Sequence, residues 1–390
     1  MKWSVFIPAW LSCIILSGCI TDYIAQGIDE EQNILVVEGH ISQGESYISL
    51  SKSANLNDVA FFEFINNAVV YVECDDGARM YAENPIYNAG FSNNRYVIQT
   101  ENLQFDRKYR LKIEIEEIDT SSEGCIFQNG VYVNCPVKTI EYCSDYAYPI
   151  VTPEIDSVFW TKSGPGQFVQ IHVTTHDPEQ QALHYKWSYQ EDWEIKSDVL
   201  PINIPYPSTC WNFEKSRDIL IGSGEKTVFG NVSGIIATLP PTSRKLEVMY
   251  RIIVQQNSIS KRAYDYFANI KKNTQKMGGL FDPIPSELRG NITCITEPDR
   301  PVIGFIDVSL TTQRKLYIAR EEGVYEFIPR LWDCDMISEE SLAELFEGKD
   351  IPKEYVPYFS ELGMSLYYII DKCVDCTLFG TTDKPTDWSD

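Results

Sequence analysis

Tyr109-Arg110-Leu111-Lys112-Ile113-Glu114-Ile115 alternates apolar and charged side chains without a break. Successive side chains of a strand point to opposite faces. This spacing therefore puts Tyr109, Leu111, Ile113 and Ile115 on one face and the charges on the other. A helix, with its period near 3.6 residues, would scatter the same residues around its axis. The stretch reads as a half-buried strand and decides the fold class. Similar runs precede it: Ile34-Leu35-Val36-Val37-Glu38-Gly39, Tyr47-Ile48-Ser49-Leu50-Ser51, Ala68–Cys74 and Arg95-Tyr96-Val97-Ile98. All are rich in β-branched and aromatic residues and bounded by Gly, Asn or Asp. Short strands at such spacing predict a first β-sandwich over residues 34–117.

Residues 118–152 break the pattern. They hold Cys125, Cys135 and Cys143 together with Pro149, and read as a Cys-containing linker. A second strand set follows within 153–330: Asp156–Trp160, Phe168–Val173, His184–Tyr189, Asp218–Ile221 and Leu246–Val254. Its Tyr185-x-Trp187 resembles the core tryptophan strand of immunoglobulin-like and fibronectin-like sandwiches. A helical insertion is expected near 260–276, where Ala263, Tyr266, Phe267 and Ile270 recur at helical spacing. Ser258 or Ser260 can cap it, and Gly278-Gly279 would end it. A shorter helix fits residues 338–347. Residues 331–390 form a Cys-containing C-terminal segment with Cys373-x-x-Cys376 and Trp388. The expected fold is mainly β: tandem immunoglobulin/fibronectin-like β-sandwiches with an embedded helical segment and a disulfide-braced C-terminal tail.

The N-terminus carries a different signal. Lys2 precedes a short apolar stretch that ends in Leu16-Ser17-Gly18-Cys19. A bilayer-spanning helix needs about 20 apolar residues, and this stretch is shorter and broken by Ser4, Pro8 and Ser12. A charged start, a short apolar run and small residues before the cut describe a signal peptide over 1–18. Leu-Ser-Gly-Cys matches a lipobox, so Cys19 is expected to carry lipid in the mature chain. Two acyl signals suffice for stable membrane attachment. Residues 19–33, with Asp22, Asp29, Glu30 and Glu31, read as an acidic tether.

The formal charge is −23, and loss of Lys2 with the signal makes the mature chain one unit more negative. Such an excess repels phosphate backbones, so nucleic acid is not an expected partner. It also argues against electrostatic docking on anionic lipid. Hydrophobic residues make up 44% and aromatic ones 13%, enough to fill real cores.

Eleven cysteines suit an exported chain. Cys13 leaves with the signal and Cys19 takes lipid. Disulfides are expected among Cys125, Cys135, Cys143, Cys210, Cys294, Cys334, Cys373 and Cys376, with Cys74 free because the remaining number is odd. Cys125 and Cys135 would pair across a hairpin; the rest of the connectivity stays open. Cys373-x-x-Cys376 suits a redox pair, half a zinc site or structural disulfides to Cys334 or Cys294. An irregular tail with no second CxxC favours the last. His172 and His176, with Asp177, could hold a metal, but spacing places no third ligand, and two surface histidines beside an Asp177-Pro178-Glu179 turn is the favoured reading. No metal or cofactor is expected. The chain has no Gly-x-Ser-x-Gly elbow, phosphate-cradling glycine loop or HExxH, so no catalytic residue is assigned. A carboxylate-pair hydrolase remains the alternative, although nothing selects a pair.

Val36-Val37-Glu38-Gly39-His40-Ile41 behind the tether resembles the opening of a Bacteroidota outer-membrane lipoprotein family, a domain of unknown function. Asn66–Val70, Ala263-Tyr264-Asp265-Tyr266-Phe267, Gly278–Pro285, Gly290-Asn291-Ile292 and Val302-Ile303-Gly304-Phe305-Ile306 continue the likeness. So do Cys373–Leu378 with Gly380, Lys384-Pro385 and Trp388, although Pro385-Thr386-Asp387-Trp388 departs from the more typical Pro-Asp-Phe-Trp. The resemblance implies an outer-membrane lipoprotein that serves as a binding or accessory subunit, working with a TonB-dependent receptor in nutrient uptake. A surface hydrolase or an adhesive surface protein are the other classes. It assigns no catalytic residue and no ligand.

Overall fold

A computed structural model describes residues 34–388 apart from 54–62, 84, 86, 89–90, 93, 129, 201–204, 277–289, 328–332, 348–349 and 360–364. Cys19, the tether and Gly278-Gly279 lie outside the described residues. The protein is mainly β, with several sheets and, among the described residues, three disulfides. In chain order the first strands are β1 (Leu35–Ser42), β2 (Gly44–Lys52), β3 (Val69–Cys74), β4 (Arg79–Glu83), β5 (Tyr87–Asn88), β6 (Phe91–Ser92), β7 (Tyr96–Thr100), β8 (Tyr109–Ile118), β9 (Ile126–Gln128), β10 (Val131–Val133) and β11 (Val137–Ser144). Then come β12 (Ile155–Thr161), β13 (Val169–Thr175), β14 (His184–Lys196), β15 (Thr209–Lys215), β16 (Leu220–Ser223), β17 (Val232–Leu239), β18 (Met249–Ser258) and helix α1 (Lys261–Lys276). The chain closes with β19 (Ile292–Cys294), β20 (Val302–Gly304), β21 (Val308–Ser309), β22 (Thr311–Ala319), β23 (Ile337–Ser338), α2 (Glu339–Leu345), β24 (Tyr355–Phe359), β25 (Leu366–Ile370) and α3 (Asp371–Val374).

The alternation in β8 does what its spacing demands. Tyr109, Leu111, Ile113 and Ile115 are buried, while Arg110, Lys112 and Glu114 keep contact with water. The buried face joins Val37, Ile48, Leu50, Val72, Ile98, Ile140 and Val308 in the first core. Truncating one such residue, for example Leu111→Ala, should cost about 2–5 kcal/mol. The first sheet runs β19-β11-β8-β3-β4-β7-β2-β1-β20, with β21 also on β1. Its two ends meet through a side chain. Asn291 Nδ2 donates to Ile306 O at 2.7 Å, and Asn291 Oδ1 accepts from Ile306 N at 2.9 Å. The backbones approach so closely that a Cβ on Gly290 would lie 1.6 Å from Gly304 O, which only glycine permits.

Two segment boundaries differ from the sequence expectation. Part of 118–152, read as linker, is β11, a strand of the first sheet between β8 and β19. Residues 290–309 fall inside the expected second unit, yet β19, β20 and β21 pair with β11 and β1 of the first. These strands are two or three residues long, too short for a period to show.

The successive antiparallel pairings give the first sheet two distinct ends. Leu35, Lys52, Val69, Ile118 and Val137 lie at one end, and Ser42, Cys74, Tyr109 and Ser144 at the other. The second end meets the rest of the chain: Ile150 bridges to Ser309, and the Ser42 and Thr311 hydroxyls are 2.6 Å apart.

The second unit packs the sheet β12-β13-β17 with the sheet β15-β14-β18-β22 around a separate core. Trp187 of β14 lies in that core, and its Nε1 donates to Gln256 Oε1 at 2.8 Å, so the indole N–H stays satisfied. Helix α1 begins where expected, with Ser260 Oγ accepting from Ala263 N at 3.2 Å. The C-terminal segment adds the sheet β23-β25-β24 and the short α2, capped by Ser338. Among the described residues no helix is long and apolar enough to cross a membrane.

Candidate functional site

The sequence-selected residues go mainly to structural duties. Cys125 bonds Cys135, as the hairpin reading expects. The two cysteines of Cys373-x-x-Cys376 have different partners: Cys373 bonds Cys334 and Cys376 bonds Cys210. The motif is thus neither an internal redox pair nor half a metal site, and it ties the C-terminal segment to β15. Cys143 and Cys294, expected in disulfides, are free and buried, as is Cys74. The register explains this. Cys294 faces Tyr142 across β11 and β19, and Cys143 is the next residue along, so the two sulfurs point to opposite faces.

His172 and His176 do not converge. The His172 ring stacks on Phe159 with centroids 5.0 Å apart, and its Nε2 lies 2.8 Å from Thr161 Oγ1. His176 Nδ1 is 2.7 Å from Asp156 Oδ2. Asp177 instead accepts backbone N–H bonds from Glu179, Gln181 and Ala182, which shapes the turn. Among the described residues no group of three or more His, Cys, Asp and Glu is placed to hold a metal.

A different constellation forms where the two units and α1 meet. Along β1, Leu35, Val37 and Ile41 face the first core, so Glu38 and His40 face the other way. Along β14, Tyr185 and Trp187 face the second core, so Lys186 also points away from it. Helix α1 covers that outer face: Tyr266 and Phe267 pack in a cluster with Ile221, Ile259 and Phe305. Lys186 Nζ sits 4.2 Å from the Phe267 ring centroid. Asp307, in the segment between β20 and β21, completes the group. Its Oδ2 accepts from Ser260 N at 2.7 Å.

These side chains gather at that junction without being sealed from solvent: Asp307 is buried, whereas Glu38 is exposed. His40 and Lys186 are half-buried. Burial, reinforced by the charge of Lys186, pulls the His40 imidazole down to about 3. Its Nε2 lies 2.7 Å from Ser309 Oγ. Burial pulls Lys186 down too, opposed by the charges of Glu38 and Asp307. Burial pushes the Asp307 carboxyl up, against the hydrogen bonds from Ser260. Among the described residues Lys186 has no ion pair within 4 Å; its near neighbour is the face of an aromatic ring. A partly desolvated ammonium beside a neutral imidazole and an aromatic wall suits an anionic or strongly accepting group.

Elsewhere the buried carboxylates are matched by cations. Glu73 takes Arg110 at 2.5 Å and Arg79 at 3.3 Å. Glu191 takes Lys245 at 2.5 Å and the Tyr250 hydroxyl at 2.6 Å. Asp192 takes Arg251 at 2.7 Å. An open depression of about 470 Å³ is lined by Trp160, Lys162, Pro165 and Glu326. Its lysine is committed to Glu326 at 2.7 Å and to Val324 O at 3.1 Å.

Sequence reasoning missed Lys186, His40 and Asp307 as a group. Lys186 carried a faint signal, a lone cation between Tyr185 and Trp187. Two of the quoted motif stretches, Val36–Ile41 and Val302–Ile306, meet in the parallel pairing of β1 with β20, the strand that carries Glu38 and His40 being β1. A search of curated proteins finds no match. The family model described as a domain of unknown function (DUF4249) matches residues 21–315, well over half of the chain, and the chain belongs to that family.

Proposed function

We propose that this protein is a lipid-anchored, non-catalytic binding subunit of the outer membrane, working with a TonB-dependent receptor in nutrient uptake. Lipidation at Cys19 rests on the Leu16-Ser17-Gly18-Cys19 run, and the receptor on the family resemblance. The observation that carries the binding reading is the setting of Lys186. Buried carboxylates elsewhere are spent on cations that hold the fold together, whereas the half-buried Lys186 rests on an aromatic ring and has no ion pair among the described residues. Glu38 and Asp307 offset part of the cost of burying that charge without pairing with it directly, and a ligand's anionic group in contact with the ammonium would relieve the rest.

The test is a pull-down from native outer membrane through a tag placed after Asp390. Co-purification of a large β-barrel receptor supports the reading. Recovery of the lipidated protein alone from gently solubilised membranes counts against the receptor. Turnover of a glycan or peptide that is lost on Asp307→Asn would replace the reading with the hydrolase alternative.

A further inference from the structure

The hairpin β9–β10 stands apart from both cores. Cys125–Cys135 closes it, and Ile126, Phe127, Val131, Tyr132 and Val133 are all exposed, Phe127 at 64% and Val131 at 62%. Residues 125–135 contain no Asp, Glu, Lys or Arg, in a chain where such residues make up 23%. The register pairs Tyr132 with Phe127 and Val133 with Ile126. The two rings, with centroids 4.9 Å apart, therefore cover one face of the ribbon, and Ile126 with Val133 covers the other. A two-stranded ribbon on its own is marginal in water, so the disulfide is what keeps this apolar finger in shape.

The place of the finger says what it meets. It extends from Ile118 and Val137, at the end of the first sheet where β1 begins at Leu35. The junction with the second unit lies at the opposite end. The chain from Cys19 to Ile34 can span at most about 50 Å when fully extended. Whatever surface holds Cys19 therefore lies within that reach of this end of the molecule. A protein partner would cover one face of the ribbon, whereas a lipid phase accepts both at once. Aromatic rings with a polar edge, such as Tyr132, suit the interface between lipid and water.

We propose that the β9–β10 finger dips into the lipid surface beside the anchor, giving the protein a second, non-covalent hold that fixes its first unit upright on the membrane. Charge does not drive this contact, because the chain is acidic and Glu116, Glu117, Asp119 and Glu123 flank the finger. The lipid it meets is zwitterionic, and the insertion is shallow. The inference rests on the proposed lipid anchor at Cys19 for its geometry.

The test uses the mature chain from residue 19 with Cys19→Ala, so that no acyl chain contributes. Flotation with phosphatidylcholine vesicles compares this protein with a variant that also carries Phe127→Ser and Tyr132→Ser. The parent should float with the vesicles, and the variant's partitioning should fall by about tenfold or more. Unreduced mass and near-ultraviolet circular dichroism show that the variant keeps its disulfides and its fold. Equal partitioning of two folded proteins overturns the proposal. So does lipid-free self-association of the parent, seen by sedimentation and lost in the variant, because the finger would then be an interface between copies. Failure of the anchor reading is read separately, as the absence of acyl mass on the N-terminus of the protein purified from membranes.

Discussion

Arg251 holds Asp192 through two nitrogens, Nε at 2.9 Å and Nη2 at 2.7 Å. Both side chains are almost wholly buried, at 2% and 1% exposure. The same guanidinium donates from Nη1 to Thr386 O at 3.0 Å and lies 5.1 Å from the Trp388 ring centroid. One arginine thus joins β14 and β18 of the second unit to the end of the C-terminal segment. Both nitrogens converge on Asp192 Oδ2, and with the carbonyl acceptor all three guanidinium nitrogens have a partner.

Removing one partner should hurt more than removing both. Asp192→Ala leaves a buried guanidinium without its counter-charge and should cost about 3–5 kcal/mol. Asp192→Leu combined with Arg251→Met removes both charges and should cost less than Asp192→Ala alone. Urea unfolding of the purified chain gives both numbers. A double variant less stable than the single one would contradict this account.

The thiol count follows from the sheet register. Cys74, Cys143 and Cys294 are the described free cysteines, and all are buried. Alkylation of the native, unreduced protein should label none of them quickly, and alkylation after unfolding without reductant should label these three. A single labelled thiol would mean that Cys143 and Cys294 pair after all.

Much of the fold was legible because its signals are local. The β8 alternation, the Trp187 strand, the Ser260 cap and the Cys125–Cys135 hairpin each sit within a dozen residues. What escaped was non-local. The return of β19–β21 to the first sheet depends on pairings with β1 and β11 from strands too short to show a period. Cys143 and Cys294 looked like disulfide candidates because spacing says nothing about which face a sulfur takes. The Lys186 constellation escaped for the same reason. Glu38, His40, Lys186 and Asp307 come from distant segments, and each alone is an ordinary polar residue on the outer face of a strand or loop.

The disulfides of the tail should differ in weight. Cys210–Cys376 joins residues 166 apart and Cys334–Cys373 joins residues 39 apart. In the chain-entropy account these closures are worth up to about 5 and about 4 kcal/mol. Cys376→Ser with Cys210→Ser should therefore lower stability by several kcal/mol and expose the segment after Ile337 to protease. Equal proteolysis of variant and parent would show that the burial of Trp388 holds the tail without the bridge.

Acid should destabilise the protein partly through His40. Its imidazole is free to protonate at 6.5 in the unfolded chain but is held near 3 in the folded one. Between those values the unfolded chain binds the extra proton. The contribution is thus intact above the unfolded value and is lost as pH falls through the folded one, at a slope of at most about 1.4 kcal/mol per pH unit. Asp307 runs the other way: its raised carboxyl adds stability at low pH that is lost as pH rises through its folded value. Lys186 acts on the same ring, and Glu38 shares its face of β1. His40→Gln isolates the histidine, and it should lose less stability than the parent between pH of about 7 and about 5. Identical losses in urea titrations would show that the ring is not kept neutral.

Lys186 offers the sharpest separation of fold from function. Its ammonium is partly desolvated, carries no ion pair among the described residues and rests on the Phe267 ring. A methionine has a similar length and no charge to desolvate, and thioethers pack well on aromatic faces. Lys186→Met should therefore leave stability unchanged or raise it by about 0.5–2 kcal/mol, as substitutions at function-bearing positions commonly do. The same change should abolish protection of the protein by an anionic ligand. That protection is read as a ligand-dependent rise in melting temperature across a panel of carboxylates, phosphates and sulfated sugars. A lysine kept for the fold would behave in the opposite way: Lys186→Met would lower stability by more than 1 kcal/mol or so, and no anion in the panel would shift the parent's melting temperature.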